Sequence, residues 1–364
     1  MNSNNLIESV FGFNNEFFNE SGRPNFMNKN YFLKLNYTFI QDRERGNKKK
    51  LRCMFPECNK KAIMSHSIPK GVVLKVLSDD NNNLFYPKYD VKRKEYKIDK
   101  VHIKQASIFP GFCTEHEDLF SGFEKNGNFR HESMALQNLR VIYRYYSRWN
   151  NLKRAFEKHK KKYTEELSSY QLDKINILNK YQISNIKLLN VEDDIINHCD
   201  KNLDFINYMI TEIHNKDLLP FLKTSNGDED SMKVILIEID IALPLSMAGR
   251  SELKVNNKFL VYLSLFASKN KTTLCFSYLK EFENDFQLLI SHYKTDIDIV
   301  SFIESWMIYG TDDWFINPIE WNSYAKDKQK KILTLLKETE KFPNEKLDFD
   351  IFINARKKYD STYK

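Results

Sequence analysis

CMFPEC at residues 53–58, SHSIPK at 65–70 and FCTEHEDLF at 112–120 decide how this chain is read. The first stretch brings Cys53 and Cys58 close together, and the last does the same for Cys113 and His116. Zinc takes thiolate and imidazole ligands in a tetrahedron, usually as two close pairs on two rigid turns. The four residues therefore predict one structural Zn²⁺ site. The first pair follows the basic cluster Lys48, Lys49, Lys50 and Arg52. The second opens a predicted helix, with Thr114 as its cap and Glu115, Glu117 and Asp118 in its first turn.

Working outward, residues 1–45 are Asn-rich with scattered aromatics and read as an irregular arm. Between the two ligand pairs, GVVLKVLSD, NLFYPKYDV and EYKIDKVHIKQASIF are strand-like runs broken by DDNNN. Residues 131–223 read as helical, because Leu136, Leu139, Tyr143, Tyr146 and Trp149 recur at spacings of three or four. TSNGDEDS is the linker candidate. Beyond it, KVILIEIDIALPL, KFLVYLSLFAS and TTLCFSYLKEF predict three strands, and helices are expected near 284–294, 297–309 and 324–341. The fold class expected is α+β: a zinc-binding domain at 46–130, a long helical middle at 131–223 and a C-terminal α+β domain with a sheet at 224–364.

The formal charge of +7 hides an asymmetry, +13 over residues 1–180 against −6 over 181–364. A basic half suits an anionic partner, most simply nucleic acid; it also suits a solvated lysine-rich surface. Arg140, Arg144 and Arg148 stand four apart and read two ways, as a stripe tracking a phosphate backbone or as a solvated helix face. Five cysteines and an N-terminus without a secretory pattern lead us to expect a reducing, cytoplasmic setting and no membrane. Cys199 and Cys275 read as buried thiols.

Cys53…Cys58, Ser65-His66-Ser67-Ile68-Pro69 and Cys113…His116 together resemble the treble-clef (ββα-metal) domain of HNH nucleases, over residues 50–125. That resemblance implies metal-dependent hydrolysis of nucleic-acid phosphodiesters, DNA before RNA. It makes His66 the general base and Glu117 the carboxylate for a catalytic Mg²⁺ or Mn²⁺. Lys48, Lys49, Lys50, Arg52, Arg140, Arg144 and Arg148 would then hold the nucleic-acid backbone. Ser65 stands where many relatives have an acid or a second histidine, and Glu117 replaces the more usual histidine. HNH modules recur in bacterial antiphage enzymes, so the resemblance also implies a defence role. The SHSIPK and GFC-x-x-H-(D/E) stretches are similar to an uncharacterised bacterial family as well.

The residues leave other readings open. His66 could be a structural histidine, or a zinc ligand in place of His116. The whole domain could be a non-catalytic nucleic-acid-binding or adaptor module, with the C-terminal domain binding a protein partner or a second copy. Trp306, Trp314 and Trp321 crowd sixteen residues and read as core or a docking surface. Glu238 and Asp240 alternate on a predicted strand and read as solvent-facing.

Overall fold

In a computed structural model of the chain, the described residues are 39, 51–90, 93–126, 131–180, 194–220, 222, 231–311, 313–338 and 340–359. The basic cluster Lys48–Lys50, the linker at 224–230 and all of the N-terminal arm except Phe39 lie outside them. The fold mixes helix and sheet. The chain divides into two compact units, one made of Lys48–Arg148 with Ile210–Lys364, the other of Met1–Asn47 with Trp149–Met209.

The larger unit is built on a seven-stranded sheet in the order β3-β2-β9-β6-β7-β8-β5, with every pairing antiparallel. Its strands are β2 Asn83–Asp90, β3 Glu95–His102, β5 Met232–Ile239, β6 Leu245–Lys254, β7 Lys258–Ala267, β8 Thr272–Leu279 and β9 Trp314–Ile316. A separate two-stranded hairpin pairs β1 Met64–His66 with β4 Ile108–Pro110, Ser65 standing opposite Phe109. After it come the helices α1 Thr114–Glu117, α2 Ser121–Asn126 and α3 His131–Lys180.

Side chains alternate across a strand, and here both faces of the sheet are used. Leu263, Leu265, Leu274, Phe276 and Tyr278 point into the main core, where they meet Phe286, Val300, Phe302, Trp306, Trp314 and Trp321. The tryptophans are thus core residues. On the opposite face, Ser264, Cys275 and Ser277 meet Asn138 of α3: its amide donates to Ser277 Oγ at 2.6 Å and accepts from Ser264 Oγ at 2.7 Å. Asn138 is thus buried with its amide paired, and Gln137, Arg140 and Arg144 are buried on the same helix with partners of their own. A helix covered on several sides must bury residues that are not apolar, and each then needs a partner.

Three features differ from the sequence expectation. GVVLKVLSD is helical and not a strand, over Lys70–Leu74 and Lys75–Leu77, and its buried Val73, Leu74 and Leu77 keep a helical spacing. The strand-rich insertion between His66 and Cys113 does not close on the ligand pairs. Its hairpin β2–β3 joins the C-terminal sheet through Phe85 opposite Ile316. The expected boundaries at 130 and 224 therefore do not separate compact units. Two strands also escaped the pattern, β6 and the three-residue β9, which is too short to show a period.

In the smaller unit, Trp149 packs edge-on against Phe205, Phe39 meets Phe156 at 4.7 Å, and Lys160 pairs with Asp200. Cys199 is buried there, and Cys275 is buried in the sheet.

The C-terminal helix Ile353–Tyr359 is anchored by charge. Buried Glu304 accepts the backbone N–H groups of Ile351 and Phe352, at 2.9 and 2.7 Å, and pairs with buried Arg356 at 2.6 Å. Arg356→Ala leaves that carboxylate buried without its cation, and breaking a buried pair from one side costs about 3–5 kcal/mol. Urea unfolding should show a loss of that size, and a change below about 1 kcal/mol would deny the anchor its role.

A candidate zinc centre and the histidine beside it

Cys53 and Cys58 lie on a tight turn closed by Cys53 N–H to Lys60 C=O at 2.8 Å and Cys58 N–H to Phe55 C=O at 3.2 Å. Glu57 completes the turn in the left-handed region, at φ 61°. The turn is stitched to the strand before α1, with Met54 N–H donating to Gly111 C=O at 2.9 Å and Ile63 N–H to Phe112 C=O at 2.7 Å. Cys113 is the residue that caps α1, one place before the expected Thr114, and His116 sits inside that helix. Local backbone structure thus delivers both pairs to one point.

The ligand atoms of Cys53, Cys58, Cys113 and His116 lie within 4.8 Å of one another. Cys53 Sγ and Cys113 Sγ stand 3.3 and 3.4 Å from His116 Nδ1, and Cys58 Sγ is 3.9 Å from Cys113 Sγ. Zinc bonds of about 2.3 Å to sulfur and 2.0–2.1 Å to nitrogen put tetrahedral edges at about 3.5–3.8 Å. The cluster can hold a metal ion and is compatible with structural zinc, with His116 rather than His66 as the fourth ligand. The His116 ring is held by stacking on Phe55, centroids 4.1 Å apart. Burial pushes the Cys53 thiol up to about 11, whereas the backbone N–H of His116 draws the Cys113 thiol down. A cation offsets the first cost by binding the thiolate directly.

Gly111 in the GFC motif is required by close approach. A Cβ there would lie 2.7 Å from Ser65 Oγ and 2.7 Å from the Phe109 ring. Ser65 accepts from Phe112 N–H at 3.1 Å and donates to Glu117 at 2.6 Å. The other Glu117 oxygen pairs with Arg140, which also holds Glu124 at 2.7 Å. Both oxygens of the carboxylate expected to hold a catalytic ion are therefore engaged by protein groups.

His66 follows Ser65 on β1 and leaves the strand on the other, half-exposed side. Its Nδ1 lies 2.9 Å from the Ala106 carbonyl. A carbonyl only accepts, so Nδ1 carries the proton and the lone pair is on Nε2. Burial holds the imidazole down at about 4, with Lys70, Arg140 and Arg144 adding positive charge nearby. His66 is neutral at physiological pH. Sequence reasoning did not find Ala106, because a backbone acceptor forty residues away has no side-chain signature.

The arginine stripe is corrected by the structure. Arg140 is fully buried between Glu117 and Glu124, with its guanidinium 4.4 Å from the Phe120 ring. Arg144 is buried as well, donating to Ser67 Oγ and pairing with Asp313. Neither is placed to meet a phosphate backbone on the surface. Arg148 is half-exposed, 6.0 Å from the Tyr145 ring. Arg52 is exposed and bonds Asn59 at 3.4 Å. Glu238 is held by Lys271 at 2.7 Å and is exposed, as its alternation suggested. Among the described residues, no helix is long and apolar enough to cross a membrane.

Comparison of the chain with protein-family models, with curated proteins and with solved structures found no match.

If the tetrad holds zinc, the protein as purified should carry one zinc ion per chain by elemental analysis. Cys113→Ser should lose it and lower Tm by several degrees. Full zinc retention by both Cys113→Ser and Cys58→Ser would rule the tetrad out.

Proposed function

We propose that the chain is a zinc-stabilised, HNH-like phosphodiesterase acting on nucleic acid, with His66 as general base. One observation carries the reading: an imidazole that is neutral, fixed in one tautomer by Ala106, and has no hydrogen-bond partner for Nε2 among the described residues. A general base needs a lone pair in the right direction before it needs a particular pKa. Arg140 and Arg144 are paired with Glu117, Glu124 and Asp313, so Lys70 is the nearby cation that favours an anionic phosphodiester beside Nε2. In the mechanism, Nε2 takes the proton of a water that attacks phosphorus, and the leaving oxygen departs on the opposite side and takes a proton from solvent.

Glu117 is the residue that would hold a Mg²⁺ or Mn²⁺, in exchange for part of its pairing with Arg140. Such an ion would supply charge stabilisation at the leaving oxygen. Lys48–Lys50 and Arg52 remain the basic residues proposed to meet the nucleic-acid backbone, DNA before RNA. A cytoplasmic defence role and a partner-binding or self-associating C-terminal domain belong to the same proposal.

A second reading has its own observation. Ser65 and Arg140 satisfy Glu117 without any ion, as they would in a non-catalytic module that binds nucleic acid or serves as an adaptor.

His66→Ala separates the two. Removing a general base costs about 10²–10⁴-fold in rate, so cleavage should fall by that factor while zinc content and thermal stability hold. Equal cleavage by both proteins would remove His66 from the mechanism. The pH profile gives an independent check. A base held at about 4 is already deprotonated at pH 6, so its acid limb should fall below about pH 5 and leave the rate level from 6 to 8. A limb centred near 6.5 would show an unperturbed imidazole instead.

A further inference from the structure

Ser67, the residue after the proposed base, is fully buried and held from three directions. Its N–H donates to Ser107 C=O at 3.0 Å, and its carbonyl accepts from Gln137 of α3. Its hydroxyl accepts from Arg144. Arg144 in turn donates to Asp313 at 2.6 Å, and both side chains are buried. Asp313 is itself fixed to the sheet. Its carbonyl accepts from Ala248 of β6 at 3.1 Å, and its N–H donates to Thr311 Oγ1 at 2.9 Å. Thr311 packs against β6 so closely that a Cβ on Gly249 would come within 2.6 Å of it.

The other end of this chain of contacts reaches the imidazole. Ser107 bonds Ile68 N–H at 3.2 Å and sits at φ 55°, a left-handed conformation that is uncommon for a residue with a side chain. Ala106, whose carbonyl fixes His66 Nδ1, is the residue just before it. The dihedrals of the 106–107 link aim that carbonyl, and strained backbone of this kind persists only where its surroundings hold it.

We infer that Arg144, Asp313 and Ser67 are positioning residues for His66: they join the C-terminal sheet to the hairpin and hold the Ala106 carbonyl on Nδ1. The inference rests on His66 being the base. It makes the C-terminal sheet part of the catalytic scaffold, and a zinc module cut away from that sheet would present an unaligned histidine. The charged groups around the imidazole are Lys70 from its own segment and Arg140 and Arg144 from α3.

The test reads His66 directly and needs no substrate, so it stands whether or not the nuclease reading does. Long-range ¹H–¹⁵N spectra of the zinc-loaded full chain report the tautomer at pH 7 and the protonated fraction at pH 6. Wild type should be Nδ1–H and about 1% protonated at pH 6, as a value of about 4 requires. Ser67→Ala changes no charge, and it should mix the tautomers; because the Ala106 carbonyl raises the imidazole's pKa, its loss leaves the protonated fraction at pH 6 no higher than in wild type. Asp313→Asn should do the same. The tautomer is the discriminating readout, because losing a negative charge without moving the ring lowers the fraction but keeps the Nδ1–H form. An unchanged tautomer in a folded, zinc-loaded Ser67→Ala overturns the inference, and so does an Asp313→Asn that keeps the Nδ1–H form. If Asp313→Asn does not fold, Ser67→Ala decides alone. Arg144→Lys, which keeps the charge but loses the fork, should lie between Ser67→Ala and wild type.

Discussion

Two guanidinium groups on successive turns of one helix, Arg140 and Arg144, are buried, and each has to be neutralised where it stands. Desolvating a charge costs several kcal/mol unless its partners are well placed. Arg140 draws Glu117 and Glu124 from the helices that follow the zinc turn, and Arg144 draws Asp313 from the sheet and Ser67 from the hairpin. The two requirements bring three sequence-distant segments to one helix. Such pairs are no proof of high stability, since apolar replacements can do as well. What they supply is geometry, because a planar fork accepts partners only in certain directions.

That geometry answers a difficulty with the zinc-binding segment. The knuckle, the hairpin and α1 form a very small unit, and a unit of that size cannot bury enough apolar surface alone. A metal would fix the turn to the helix, and the hairpin leans on α3 through Ser67, which accepts from Gln137 and Arg144. The long insertion then adds β2 and β3 to the main sheet. The module is embedded in its neighbour rather than tethered to it.

Much of this could be read from the residues, and what could not be read has identifiable causes. Cys53, Cys58, Cys113 and His116 were legible because metal geometry restricts ligand type and spacing, and the structure brings these four together. Near-continuous apolar runs such as KFLVYLSLFAS were legible because a strand buried on both faces needs apolar residues at almost every position. The arginine stripe misled, because a spacing of four looks alike on a solvated face and on a helix buried all round. Only the distant partners, Glu117 and Asp313, distinguish the two. The joining of β2 to β9 rests on a single register pair across more than two hundred residues, and no local pattern encodes it. The Ala106 carbonyl was invisible because every residue has one.

The proposed activity, cleavage of nucleic acid, is tested by an assay on substrates of every class. Zinc-loaded protein would be incubated with end-labelled single- and double-stranded DNA and RNA, with Mg²⁺, with Mn²⁺, and with neither. An HNH-like nuclease should give phosphodiester cleavage that depends on the added ion, with DNA cut faster than RNA. Binding to these substrates without a cut product under any condition, by protein shown to hold its zinc, would contradict it.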